Sequence, residues 1–162
     1  MTNDKPILEK NFNEGVDIEK RLKDGFILSR LFIEAQGNDK DAVKKALERT
    51  IFQKLANEVN VTLLNVKLYE IQQDEKNNKI FSGVVEIKAL FRDFRWFVNT
   101  IMRYGPTAIE IIQPEKYILN LDEMQSLIAD VSEFSQVFSS QILALLKDKE
   151  RKEIYKKLLS QT

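Results

Sequence analysis

The sequence predicts an α+β domain of the ferredoxin-like, split βαβ kind: a four-stranded antiparallel sheet with two helices on one face, followed by a long C-terminal helix. Three observations lead to this fold class. Apolar patterns over residues 25–113 follow the order strand, helix, strand, polar turn, strand, helix, strand. Gly105 and Pro106 end the second helix directly before the last strand. Beyond Leu121, apolar residues recur at steps of three and four.

The first half of the chain contains one strand and one helix of clear pattern. Residues 1–24 balance acids and bases around isolated apolar residues, which predicts an N-terminal arm or a short helix. The bulky apolar run Phe26 to Ala35 predicts the first strand. Asn38 or Asp39 can cap a helix over 39–59. Its predicted apolar stripe consists of Val43, Ala46, Leu47, Ile51, Leu55 and Val59.

The second half begins with a predicted long hairpin, in which residues 61–73 and 80–91 are β-like and 74–79 are polar and turn-prone. On its second strand, the alternation of apolar and polar residues predicts one face in the core and one partly exposed to solvent. The predicted core face consists of Phe81, Gly83, Val85, Ile87, Ala89 and Phe91. Asp93 can cap the helix 93–104, and Ala108 to Gln113 form the fourth strand.

The C-terminal region predicts one long amphipathic helix over 121–146, which begins at a capping box of Asn120 and Glu123. The charged segment 147–157 either continues this helix or follows a break near Lys147. We therefore divide the chain into residues 1–24, a ferredoxin-like domain over 25–119, and a helical extension over 120–162. This extension is expected to pack on its own domain or on a partner.

Composition excludes several kinds of chemistry. Of the 162 residues none is His or Cys, the types most used for proton transfer, thiolate attack and zinc binding. We predict neither an enzyme nor a cofactor or metal site. Lys+Arg and Asp+Glu are equal at 25 each, so no long-range field attracts nucleic acid or an anionic membrane. With no long apolar run and no N-terminal signal core, we expect a cytoplasmic protein.

Nucleic-acid binding of the RNA-recognition type is disfavoured by the third strand. That module needs several aromatic residues on its central strands for bases to stack on. The segment from Lys79 to Ile87 carries one aromatic residue, Phe81.

The most site-like cluster lies on the helix 93–104. Its members fall on the face opposite the apolar stripe and could recognise a phosphate, a carboxylate or a partner protein; they are Arg92, Arg95, Trp96, Asn99 and Arg103. The simpler alternative is that Trp96 packs under the C-terminal helix and the arginines are solvated or paired with Asp93 and Glu110.

Three carboxylates, Glu34, Glu86 and Glu110, could line up on one face of the sheet. Convergence there would suit a metal-dependent enzyme. The simpler interpretation is that they are solvent-facing charges that discourage aggregation between sheets.

Trp96, the turn Tyr104-Gly105-Pro106 and the strand ending Ile111-Ile112-Gln113-Pro114-Glu115 precede a long helix. In this order, residues 94–146 resemble the C-terminal extension of WYL-domain transcription regulators. The whole chain also resembles small archaeal proteins of βαββαβ layout. The first resemblance implies a transcription-associated role, and neither implies a catalytic residue.

Together these observations predict a non-enzymatic binding, regulatory or structural module that acts through a protein partner or through self-association, by the sheet edge or by the helix 121–146. One alternative is a regulator that is transcription-associated or that binds a nucleotide, another small anionic ligand or an acidic peptide on the Arg/Trp face of the helix 93–104. The other is the metal-dependent enzyme.

Overall fold

The computed structural model describes residues 5–160 and contains six strands and five helices. In chain order these are β1 (Leu8–Asn11), α1 (Ile18–Lys23), β2 (Ile27–Gly37), α2 (Lys40–Glu48), β3 (Val61–Leu68), β4 (Gln72–Gln73), β5 (Phe81–Phe91), α3 (Phe94–Tyr104), β6 (Ala108–Gln113), α4 (Leu121–Leu145) and α5 (Asp148–Leu159). The chain divides between Ile118 and Leu119 into two compact units. Within residues 5–160, none of the helices combines the length and apolar character that a membrane crossing requires.

The strands form a single antiparallel sheet in the order β1-β3-β5-β2-β6, with the short β4 beside β5. The predicted α+β class and the long C-terminal helix are confirmed. The predicted count of four strands is wrong, because β1 extends the sheet beyond β3 and because the predicted strand 61–73 is interrupted after Leu68, so that Gln72–Gln73 form the separate strand β4. The four predicted strands occupy the consecutive positions β3-β5-β2-β6.

Strand β1 lies in the segment for which only an arm or a short helix was predicted. It pairs with β3 over four residues, from Leu8 opposite Leu68 to Asn11 opposite Asn65. Side chains reinforce the pairing, since Asn65 Nδ2 donates to Asn11 Oδ1 at 2.7 Å and to Glu9 Oε1 at 3.0 Å. Four residues with one large apolar side chain are too few to show alternation, so partner contacts decide this strand. The short helix of the same segment is α1, capped by Asp17.

Helices α2 and α3 lie on one face of the sheet and cover its buried side chains. The predicted alternation on β5 is confirmed, because Val85, Ile87, Ala89 and Phe91 are buried in the core. Gly83 lies on this face where α2 approaches the sheet. A Cβ at this position would overlap the Ile71 side chain and lie 2.9 Å from Leu47 Cδ1.

The predicted helix 39–59 begins at Asp39, whose side chain accepts from Ala42 N, but it does not remain α-helical. It becomes π-helical over Arg49–Lys54 and ends in a 3₁₀ turn at Leu55–Asn57. Val43, Leu47, Ile51 and Leu55 are buried at steps of four residues. Such steps overshoot the 3.6 residues of an α-turn, and the wider π-turn brings Ile51 and Leu55 back to the sheet. Ala46 and Val59 were wrongly placed in the stripe: Ala46 is exposed, and Val59 is 93% exposed.

The ends of α3 and α4 follow their capping signals. The Asp93 side chain accepts from Trp96 N at 2.8 Å, and Gly105 ends α3 in the left-handed conformation at φ 54°. The predicted box of Asn120 and Glu123 is present at the start of α4. The helical region breaks at Leu146 and Lys147, so α5 is a separate helix.

Candidate functional sites

The first candidate site is the predicted arginine and tryptophan face of α3. Arg92, Arg95 and Trp96 are exposed, and Asn99 is half-buried and donates from Nδ2 to Arg95 O at 3.0 Å. Trp96 keeps 36% of its surface accessible, so it is not a core residue. Trp96 thus shares one face of α3 with Arg95, Asn99 and Arg103, whereas Arg92 was wrongly placed on this face, because it precedes the N-cap Asp93 and lies outside the helix.

Two of the arginines have acceptors from the loop that precedes β3. Arg103 Nη1 lies 2.9 Å from Glu58 Oε1, and the Tyr104 hydroxyl donates to the same oxygen at 2.8 Å. Burial, and next the hydrogen bond to Glu58, raise the pKa of Tyr104 to about 12. Arg92 Nη1 lies 3.3 Å from Asn60 Oδ1. Arg103 therefore pairs with Glu58 and not with Glu110, whose carboxylate binds elsewhere.

The second candidate site is a cleft of about 740 Å³ on the sheet face opposite α2 and α3. Its lining mixes apolar and charged side chains from β2, β5, β6 and the segment after β3; these are Arg30, Phe32, Tyr69, Glu70, Gln72, Ser82, Val84, Glu86, Ala108, Ile109 and Glu110. The volume falls within the range of small-molecule sites.

Arg30 is the centre of this cleft and joins three strands. Its Nη1 donates to Glu110 Oε2 on β6, and its Nε lies 3.0 Å from Glu86 Oε1 on β5. The Nε contact is close enough for charge attraction but lacks hydrogen-bond alignment, so this buried nitrogen has no directed partner among the described residues. The Tyr69 hydroxyl donates to Glu86 Oε2 at 2.6 Å. This hydrogen bond is the largest cause that raises the pKa of Tyr69, to about 12.

Two of the three predicted carboxylates thus lie close together, because Glu86 and Glu110 both contact Arg30. Glu34 is exposed on the same face of β2, at the position opposite Val84 of β5. The guanidinium occupies the space between the two carboxylates, where a metal ion would have to bind. Among the residues that the structure describes, no group of three acidic side chains is placed to hold a metal.

Arg30 and Tyr69 were missed by sequence reasoning. A charged residue between the apolar Leu28 and Phe32 is a signal that could have singled out Arg30. Its partners depend on strand register, which places Arg30 opposite Lys88 of β5 on one side and Glu110 of β6 on the other.

The third candidate site is the apolar surface of α4. No residue of this 25-residue helix, all of which the structure describes, is buried. The large apolar side chains that remain exposed are Leu121, Met124, Ile128, Val131, Phe134, Val137, Phe138, Ile142 and Leu145. Phe134 and Phe138 stack on each other at 6.0 Å between ring centroids. Residues 121–145 thus offer a long apolar surface.

These features define an α+β sheet protein with a C-terminal helical unit whose apolar residues are exposed. The chain belongs to the MJ0538 family, whose model matches residues 29–158. It is similar to a protein of Methanocaldococcus jannaschii described as uncharacterized protein MJ0538, with 32% identity over 99 residues. The match covers 59% of this chain and 35% of that protein, so the chain spans about a third of the length of this relative. No solved structure matches the chain.

The predicted resemblance to archaeal proteins is confirmed by this relative. The resemblance of residues 94–146 to WYL-domain regulators stays a prediction.

Proposed function

We propose that the protein is a non-enzymatic association module that binds a partner chain through the apolar surface of α4. The observation that carries this proposal is the exposure of nine large apolar side chains along one helix. Apolar patches larger than a few hundred Å² are rare on monomeric proteins and mark interaction sites. Each large side chain that a partner covered would contribute on the order of 1 kcal/mol or more to binding.

The sheet unit supplies the rigid part of the proposed module. In this proposal the strands β3-β5-β2-β6, with α2 and α3 on one face, form a ferredoxin-like core that β1 extends beyond β3. Large buried side chains such as Phe91, Leu31 and Leu47 fix this core. The proposal therefore assigns stability to residues before Ile118 and association to residues after it.

Charged substitutions in α4 test the proposed surface. The double variant Ile128→Lys, Phe138→Lys places two charges among the exposed apolar residues, whereas Ser140→Lys adds one charge to the opposite side of the helix. Sedimentation velocity of the full chain should show association of the wild type and of Ser140→Lys and its loss in the double variant. Unchanged association of the double variant, with a native circular dichroism spectrum, would rule out this surface.

A second candidate function is a regulator that binds an anionic ligand on the Arg/Trp face of α3. The exposure of Trp96 beside Arg92 and Arg95 favours it. Arg103 also lines a cleft of about 430 Å³ together with Lys54 and the acidic Glu34. The predicted resemblance to WYL-domain regulators would give such a protein a transcription-associated role.

Trp96 is the one tryptophan of the chain, so its fluorescence reports directly on this face. Titration with ATP should give a saturable change in the wild type that Arg95→Glu weakens at least tenfold. A flat titration at millimolar ATP would count against the regulator and leave the association module as the better proposal.

A further inference from the structure

We infer that the partner of α4 is α4 of a second copy of this chain, bound in the antiparallel orientation. The inference rests on the proposed association function and names its partner. It depends on three properties of α4: the spacing of its apolar residues, the sizes of the side chains at those positions, and the distribution of charge from Leu121 to Leu159.

The spacing of the apolar residues is that of a coiled coil. One set of positions, seven residues apart, is Leu121, Ile128, Ser135 and Ile142, and the other is Met124, Val131, Phe138 and Leu145. Seven of these eight residues are apolar, over more than three heptads. A strict seven-residue repeat keeps one seam of a helix against a partner helix along its whole length.

The two sets of positions are symmetric about the middle of the helix: each residue of the first set is as far from the centre as one residue of the second set is on the other side. If two copies of α4 run antiparallel with their centres near Glu133, every residue of the first set faces a residue of the second. The resulting layers pair Leu121 with Leu145, Met124 with Ile142, Ile128 with Phe138, and Val131 with Ser135. The apolar seam of one α4 can therefore pair with the seam of a second, antiparallel α4 along its whole length.

Side-chain size distinguishes this orientation from the parallel one. A parallel pair in register would place Ser135 against Ser135, which puts both seam hydroxyl groups into one layer, and Phe138 against Phe138, which is the bulkiest possible layer of this helix. The antiparallel pair instead sets Ser135 against Val131 and Phe138 against Ile128. Layers of more equal volume leave fewer voids and less strain.

The distribution of charge also favours the antiparallel orientation. The helix α4 has four acidic residues and no basic ones, and all four lie between Asp122 and Glu133. The following segment, 147–159, has six basic and three acidic residues. In an antiparallel pair the acidic start of one α4 lies beside the end of the other, where Lys147 begins the basic segment. A parallel pair would bring the two acidic ends and the two helix dipoles together, at a cost of a few tenths of a kcal/mol for each contact.

Disulfide cross-linking tests the orientation, and no natural cysteine competes with the introduced ones, because the sequence contains none. Met124 and Ile142 are about 27 Å apart along α4, from 18 rises of 1.5 Å. A disulfide needs Cα atoms within about 7 Å. On oxidation, a mixture of Met124→Cys and Ile142→Cys chains should form a covalent dimer that contains one of each, and neither variant alone should cross-link. Ser140→Cys, on the outer side of the helix, is the control for random collision.

Each outcome has a separate meaning. If Met124→Cys links to itself, α4 pairs in parallel, and the inference fails while the association function stands. If light scattering finds a dimer but no α4 cysteine links beyond the Ser140→Cys level, another surface such as the edge of β6 holds the copies together, and both the inference and the proposed role of α4 fail. A monomer at all concentrations also overturns both.

Discussion

Arg30 shows at the scale of single residues how the face of the sheet opposite α2 and α3 tolerates charge between apolar neighbours. Leu28 and Leu31 are buried, yet the guanidinium lies between carboxylates from two other strands. Cross-strand pairs of opposite charge stabilise a sheet and fix its register. The side chain of Glu86 is 14% exposed, so loss of this pairing acts on a group that water reaches poorly.

Replacement of Glu86 by Ala should therefore destabilise the fold. The change removes the acceptor of the Tyr69 hydroxyl and one carboxylate partner of Arg30, and we expect a loss of about 1–3 kcal/mol in the free energy of unfolding. Urea denaturation measures it. Glu34→Ala, on the same face of the sheet at an exposed position, is the matched control and should stay within about 0.5 kcal/mol of the wild type. Equal effects of the two variants would contradict the role given to Glu86.

The pKa of Tyr69 gives a second prediction at this scale. The pKa rises from an ordinary value of 10.0 to about 12 in the folded state, so the protonated phenol is favoured by folding. Its contribution to stability is complete below pH 10 and is lost as the pH rises to 12. The unfolding free energy of the wild type should thus fall more steeply over this interval than that of Tyr69→Phe. Urea denaturation of the two proteins across this pH interval measures the difference in slope.

At this scale the sequence predicts which face a residue occupies but not its neighbour. The sequence allowed Glu86 and Glu110 to share one face of the sheet, and both carboxylates contact Arg30 there. It could not show that Arg30 lies between them, because strand order and register depend on contacts between residues 56 and 80 positions apart in the sequence, as Arg30 is from Glu86 and Glu110.

At the scale of elements, the close approach of α2 to β5 depends on Gly83. Leu47 and Ile71 occupy the volume that a side chain at this position would need. A larger residue would push the helix and the sheet apart, and well-packed cores lose about 1–3 kcal/mol when extra methyl groups are forced into them.

We accordingly predict that Gly83→Ala lowers the free energy of unfolding by about 1–3 kcal/mol, measured by urea denaturation. Gly15→Ala is the control, since nothing lies within 4 Å of a Cβ built there. That variant should be neutral or slightly stabilising, because it restricts the unfolded chain. A neutral Gly83→Ala would mean that α2 is not held as closely as the structure shows.

Elements with strong local signals were predicted well, and elements fixed by distant partners were not. Asp93 and Gly105 marked the ends of α3 correctly, and Asn120 marked the start of α4. The strand β1 and the π-helical turns at Arg49–Lys54 have no such local signal. The first depends on pairing with β3, and the second on keeping Ile51 and Leu55 against the sheet.

At the scale of the whole molecule, two units differ in how they bury their apolar residues. The unit that ends at Ile118 contains the buried core, whereas no residue of α4 or α5 is buried. The sequence predicted an amphipathic C-terminal helix, but an apolar pattern alone cannot distinguish a helix that packs within its own chain from one that needs a partner. Our proposal of a partner chain rests on the exposure of Ile128 and Phe138, and our inference of a second copy rests on the heptad spacing.

The most direct test of the proposed association is the molar mass of the full chain in solution over a dilution series, measured by light scattering. The antiparallel α4 pair predicts a mass approaching twice 18.9 kDa at high protein concentration, which falls on dilution. A mass of 18.9 kDa at every concentration would contradict it.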